Sequence, residues 1–277
     1  MNVENISWMS DGLKIQGAVY LPADRRRRYP ALVICHGIPA KAKGPDDRGY
    51  PFLAEHFSEE GFFVLIFNFR GAGLSEGNFD LLGWARDLDR GLDYLALRPE
   101  VDQKRIFLMG FSGGAAVSIY VAAHRKDVAA LVSCASPAEF RDLFTGKGLE
   151  DFMVHARDVG IIRDTNFPAS VEEWENGFLA VKPVDWIGLI PPRPLLIIHG
   201  TEDDVVDASH AGNLHAQVRG KAEFFLIEGA GHRLREDQRA MKKALEWMKR
   251  LAFSNQPSTN SDQPSAISSQ QKPKKDL

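Results

Sequence analysis

Arg105-Ile106-Phe107-Leu108-Met109-Gly110-Phe111-Ser112-Gly113-Gly114-Ala115-Ala116-Val117-Ser118-Ile119-Tyr120-Val121-Ala122-Ala123 is the stretch that decides how this chain is read. Residues 105–109 form a short apolar run with the character of a buried strand. Residues 114–124 read as a helix that opens on small side chains. Between them stands Gly-x-Ser-x-Gly, and strand, Gly-x-Ser-x-Gly, helix is the sequence form of a nucleophile elbow. Such a turn holds its serine in a backbone conformation that non-glycine residues seldom adopt. It also leaves the hydroxyl at a helix start, where free N–H groups stabilise negative charge. Gly73-Leu74-Ser75-Glu76-Gly77 matches the same five-residue pattern. It follows no unbroken strand and precedes Asn78-Phe79-Asp80 rather than a helix, so Ser75 is read as a polar loop residue and Ser112 as the nucleophile.

Working outward, apolar runs alternate with helical patterns, the signature of an α/β protein. Strands are predicted at 6–9, 14–21, 31–35, 62–67, 105–109, 129–134, 195–199 and 224–227. The first two flank Ser10-Asp11-Gly12 and form an antiparallel start. The other six are near-continuous apolar runs, as in strands covered on both faces. Helices are predicted at 50–60, 82–97, 114–124, 209–218 and 235–251. The expected architecture is a mostly parallel sheet of about eight strands with helices on both faces. Residues 136–192 are too long for a simple crossover and are rich in large aromatics, including Phe140, Phe144, Phe152, Phe167, Trp174, Phe178 and Trp186. They read as a small helical insertion, whose aromatics either pack it onto the core or line an acyl or aromatic pocket. From 254 to 277 the only apolar residues are Ala266, Ile267 and Leu277. That tail is expected to be disordered, which leaves residues 1–253 as one domain.

Composition narrows the function classes. The chain has 277 residues and a net charge of −3, which argues against nucleic acid as its main partner. The basic runs at 25–28 and 272–275 are short and read as loop and tail chemistry. Cys35 and Cys134 sit in apolar runs and read as buried free thiols, which suggests a reducing compartment. The first residues have neither a basic nor an apolar leader region, and no apolar stretch is long enough to span a bilayer. A soluble cytoplasmic protein is the expectation. No Gly-x-Gly-x-x-Gly or phosphate-loop pattern opens a helix after a strand, so no cofactor is implied. His199, His210 and His215 have no recognised ligand spacing, so no metal is implied.

A serine hydroxyl needs a general base, and the base needs an acid to fix its tautomer. Two later loops follow apolar strands: His199-Gly200-Thr201-Glu202-Asp203-Asp204-Val205-Val206-Asp207 and Glu228-Gly229-Ala230-Gly231-His232. Their order after Ser112, acid then histidine, resembles the α/β-hydrolase superfamily, and within it the esterase and prolyl-oligopeptidase-like branch. That branch carries His-Gly-x-x-Asp-x-x-Val-Pro at the acid loop, and the resemblance assigns the acid to Asp203 and the base to His232. Asp207 stands where that pattern has proline, so Asp204 is kept as the alternative acid.

One oxyanion donor is the N–H of Gly113, next after the serine. The resemblance puts the second at Ile38, in His36-Gly37-Ile38-Pro39, where Pro39 has no N–H to give. It implies no cofactor and a small-molecule acyl substrate. The loop at 68–77 resembles the Arg-Gly-x-Gly-x-Ser loop of such hydrolases and is read as structural or as a wall of the site. His36 and His199 read as structural, and His56, His124, His210 and His215 as surface residues. For His155, in the insertion, ligand contact is the minor of two readings. The implied activity is serine hydrolysis, with a carboxylic ester first, then a thioester, then a small peptide or amide. A silent binding protein, or a lyase or haloperoxidase on the same scaffold, is the rival.

Overall fold

Apolar side chains alternate along β3 (Tyr29–Cys35) so that Ala31, Val33 and Cys35 join one core while Leu32 and Ile34 join another. A strand covered on both faces must do this, because successive side chains point to opposite sides. The computed structural model describes residues 2–24, 26–40, 47–141 and 147–254. The other strands are β1 (Asn2–Ser10), β2 (Leu13–Leu21), β4 (Phe63–Asn68), β5 (Val101–Phe111), β6 (Val128–Cys134), β7 (Leu195–Gly200) and β8 (Glu223–Ile227). They form one sheet of order β1-β2-β4-β3-β5-β6-β7-β8, antiparallel between β1, β2 and β4 and parallel from there on. The α/β-hydrolase expectation of about eight strands with a mainly parallel sheet is met.

Helices cover both faces. Leu53 and Phe57 of α1 (Gly49–Glu59) join one core with Met241, Ala244, Trp247 and Met248 of α8 (Gln238–Phe253). Side chains of α2 (Leu81–Ala96), α3 (Gly113–His124), α5 (Val171–Val181) and α7 (Ser209–Gln217) join the other. In α2 the Asp80 side chain accepts from Leu82 N–H, and Leu81, Trp84, Leu88, Leu92 and Leu95 are buried along one stripe.

Element ends differ from expectation for local reasons. β1 extends over all of 2–10 because its length follows its pairing with β2 across Asp11-Gly12, both at positive φ. β5 begins at Val101, which pairs with Tyr29 ahead of an irregularity in the ladder, and its polar residues 102–105 are not buried. α8 starts at Gln238 and not at 235, because the Asp237 carboxylate caps it through Arg239 and Ala240 N–H.

The segment between β6 and β7 holds α4 (Gly148–Asp158), α5, the short α6 (Pro183–Trp186) and a 3-10 turn at Ile187–Leu189. It is helical, as expected. Trp174 is buried and donates to the Phe79 carbonyl (3.0 Å), and Trp186 donates to the Ala180 carbonyl (2.7 Å). Phe144, Arg25 and the tail from 255 onward lie outside the described residues. Cys35 and Cys134 are free and buried. No helix among the described residues is long and apolar enough to cross a membrane.

Candidate active site

Ser112 sits between the end of β5 and the start of α3 with φ +52° and ψ −123°, a left-handed conformation that costs a non-glycine residue about 1–3 kcal/mol. The two motif glycines make the turn possible by close approach. A Cβ on Gly114 would lie 2.2 Å from the His36 carbonyl oxygen, and one on Gly110 would lie 2.5 Å from Ala115 Cα. Ser112 N–H donates to the Cys134 carbonyl (2.9 Å), which ties the elbow to β6. Its own carbonyl accepts from Ala115 and Ala116 N–H at the start of α3.

The loops after β7 and β8 are laced together. Thr201 N–H donates to Ile227 O (3.0 Å), Glu202 N–H to Ala230 O (2.9 Å), and Gly229 N–H to Thr201 Oγ1 (2.9 Å). This brings Asp203 against His232, with Nδ1 2.8 Å from Oδ2 and 3.0 Å from Oδ1. Val205 and Val206 N–H also donate to Asp203 Oδ1, at 3.0 and 2.8 Å. His199 Nε2, which donates to the Val206 carbonyl (2.8 Å), lies 3.2 Å from Oδ2. Burial alone would raise the Asp203 carboxyl. The hydrogen bonds from His199, His232 and Val206 outweigh it and hold the group far below the usual carboxylate range. Asp204 is exposed and makes no hydrogen bond among the described residues, while Asp207 accepts from Ser209 N–H (2.9 Å) at the start of α7. Of the acids in this loop, Asp203 is the one bonded to His232.

The loop after β3 is held by hydrogen bonds on both sides of Ile38. His36 Nδ1 donates to the Gly37 carbonyl (2.7 Å), and His36 Nε2 accepts from Phe69 N–H (3.1 Å). Burial pushes this imidazole down to about 4, which keeps it neutral in that double role. Gly37 N–H donates to Tyr50 Oη (3.3 Å), and the Pro39 carbonyl accepts from His155 Nε2 (3.1 Å). Ile38 N–H has no acceptor among the described residues, nor does Gly113 N–H. The two residues are neighbours, since a Cβ on Gly113 would lie 3.5 Å from Ile38 Cγ1.

Ser112, His232, Ile38 and Gly113 line one cavity of about 990 Å³. Its apolar lining comes from Ile38, Leu81, Phe140, Phe152 and Phe178, and its charged lining includes Glu139, Asp204, Arg233 and Glu236. Among the described residues no hydrogen bond joins Ser112 to His232. Such bonds are commonly long without substrate and tighten when it binds.

Three sequence readings are corrected or sharpened. The loop at 68–77 does not line the cavity. Arg70 is buried against Asp87 (2.7 Å), and Arg163 donates to the Gly71 and Gly73 carbonyls (2.8 Å each), so the loop is structural. Ser75 is fully buried, accepts from Gln16 N–H (2.9 Å) and donates to the Asn68 carbonyl. His210 is not an ordinary surface residue. It is half-buried, its Nδ1 accepts from Ala138 N–H (3.0 Å), and it lines the cavity. Its contact is made across 72 residues of sequence, so helical position alone could not reveal it.

Comparisons with known proteins agree with the fold. A family model described as alpha/beta hydrolase fold matches residues 30–163. The polyketide transferase ATR5 of Stachybotrys chlorohalonatus is 25% identical over 289 residues, covering 87% of this chain and 94% of that protein. The thiohydrolase aneE of Aspergillus aculeatus is 33% identical over 127 residues, covering 44% of this chain and 38% of its own length. Among solved structures, the alpha/beta hydrolase GrgF from Penicillium sp. sh18 superposes with a TM-score of 0.69 at 20% identity, covering 91% of this chain and 99% of that one. Est1E from Butyrivibrio proteoclasticus, with ferulic acid bound, gives a TM-score of 0.64 at 20% identity, covering 90% and 98%.

Proposed function

We propose that this chain, which has the α/β-hydrolase fold, is a serine hydrolase of that superfamily working through an acyl-enzyme, with carboxylic esters as its first substrate class. Ser112 Oγ attacks the ester carbonyl as His232 Nε2 takes the hydroxyl proton. Asp203 holds Nδ1–H and stabilises the imidazolium that forms. The N–H groups of Ile38 and Gly113 receive the oxyanion, each donor of this kind being worth about 3 kcal/mol in the transition state. Collapse expels the alcohol, which leaves with the proton from His232. Water, deprotonated by the same imidazole, then releases the acid and frees Ser112.

The observation that carries this reading is the Asp203–His232 bond of 2.8 Å beside a cavity that His232 shares with Ser112. The insertion at 136–192 would set the substrate range, since Phe140, Phe152 and Phe178 face the same cavity. A thioester is the second class, because the same attack serves it and one relative is a thiohydrolase. Ser112→Ala should abolish hydrolysis of p-nitrophenyl acetate. Turnover of that variant above the buffer blank removes Ser112 from the mechanism.

A further inference from the structure

We propose that His155, on insertion helix α4, is a positioning residue that holds the Ile38 N–H in place for the oxyanion. The inference rests on the serine-hydrolase reading above and assigns a task to a residue outside its catalytic set.

The argument starts from the backbone of residues 37–39. An amide N–H is aimed by its own peptide plane, and a plane is fixed by what its two ends bond. The plane that carries Ile38 N–H has the Gly37 carbonyl at its other end, and His36 Nδ1 donates to that carbonyl at 2.7 Å. On the upstream side, Gly37 N–H is held by Tyr50. Downstream, Pro39 has no N–H, so its carbonyl is the polar group by which the chain can be held there. His155 Nε2 donates to that carbonyl at 3.1 Å. Without it, no hydrogen bond among the described residues anchors the loop on the downstream side of Ile38.

His155 reaches this carbonyl across 116 residues of sequence, from an element that is not part of the central sheet. Phe152 lies three residues earlier on the same helix, so the two share a face, and both line the cavity. One helix therefore presents an aromatic ring to whatever fills the cavity and an imidazole to the loop that receives the oxyanion. Binding energy gained against Phe152 steadies the donor that acts in the transition state, so part of it is expressed in kcat rather than KM.

The test uses the full chain and three variants, with p-nitrophenyl butyrate as substrate and phenylboronic acid as a probe whose adduct on Ser112 places an oxygen at the oxyanion site. His155→Leu keeps the bulk and removes the donor. Its kcat should fall about tenfold to a hundredfold, short of the full loss of an oxyanion donor, while KM changes less than about threefold and phenylboronic acid affinity falls in parallel with kcat. His155→Gln puts an amide N–H near the Nε2 position and should recover kcat to within about threefold of the parent. If the leucine variant does not fold, His155→Ala carries the same comparison.

An unchanged kcat, a change confined to KM, or a glutamine variant as impaired as the leucine one would overturn the assignment. Ser112→Ala is assayed alongside. If it is inactive while His155→Leu is normal, only the His155 assignment is lost. If it keeps turnover, the serine reading fails and takes this one with it.

Discussion

Replacing Asp203 by asparagine tests the proposed mechanism at the atom where the structure is most demanding. Three donors converge on the carboxylate, Val205 N–H, Val206 N–H and His232 Nδ1–H, and His199 Nε2 lies 3.2 Å from Oδ2. An asparagine has one acceptor oxygen and one NH2, so it cannot satisfy them all. If its oxygen stays with Val205 and Val206, its NH2 faces His232. The imidazole must then accept at Nδ1 and carry its proton on Nε2, where it can no longer take one from Ser112. The reverse orientation sets the NH2 against two backbone donors, at about 1–3 kcal/mol for each one stranded, so the first is favoured. The expected loss is on the order of 10⁴ in kcat, or about 5 kcal/mol of transition-state stabilisation, with little change in KM. Steady-state kinetics on p-nitrophenyl butyrate measure it directly, and labelling of Ser112 by a fluorophosphonate should slow in step. Asp204→Asn, at an exposed residue with no hydrogen bond among the described residues, should lose less than tenfold. A folded Asp203→Asn variant within tenfold of the parent would refute the role given to Asp203.

Three further substitutions read the elbow and its neighbour loop. Gly114→Ala should destabilise the fold by about 3 kcal/mol or more, because its Cβ would press to 2.2 Å from the His36 carbonyl oxygen, whereas Gly113→Ala meets nothing nearer than 3.5 Å and should fold; urea midpoints that do not separate the two would contradict the packing. His36 gives a pH test. Its ordinary value of 6.5 is pushed down to about 4 by burial. As pH falls from 6.5 to 4 the unfolded chain therefore binds a proton that the folded chain refuses. Stability drops through that window by roughly 3 kcal/mol and loses nothing more from this group below it. His36→Asn should lack that part of the slope, and parallel stability–pH curves for parent and variant would show that His36 is not the group.

How much of this was legible depended on whether the deciding contact was local. The elbow was, because the demands on Gly110, Ser112 and Gly114 are set by a strand and a helix that adjoin them. β3 through β7 were, because burial on both faces leaves unbroken apolar runs. β1 was seen only in part, since residues 2–5 are exposed and pair along an edge. The choice of Asp203 over Asp204 was open in the spacing, and it turns on which carboxylate meets Val205 and Val206 N–H. His210 and His155 were misjudged or undervalued for a common reason. Each is defined by one bond to a distant backbone group, Ala138 N–H for the first and Pro39 C=O for the second. Nothing in the residues beside them encodes such a bond.

The strand order explains why the histidine loop in particular has to be braced. Ile38, Ser112, Asp203 and His232 all follow the carboxyl ends of parallel strands, where open α/β sheets form their sites. They are not equally near one another. β3 and β5 are adjacent, so the oxyanion loop and the elbow meet without assistance. β8 stands three strands from β5 in the order β5-β6-β7-β8, which at about 4.8 Å per strand is roughly 14 Å. No side chain covers that distance, so the backbone after Ile227 must travel back across β7 before His232 can share a cavity with Ser112. The acid loop lies across that path. Its bonds from Thr201, Glu202 and the Asp203 carboxylate grip the returning chain at Ile227, Ala230 and His232 in turn. Asp203 is therefore the last of a series of brackets as well as the partner of the imidazole. Loosening another tie between the two loops, the bond from Gly229 N–H to Thr201 Oγ1, by Thr201→Val would act on the same distance without touching the chemistry.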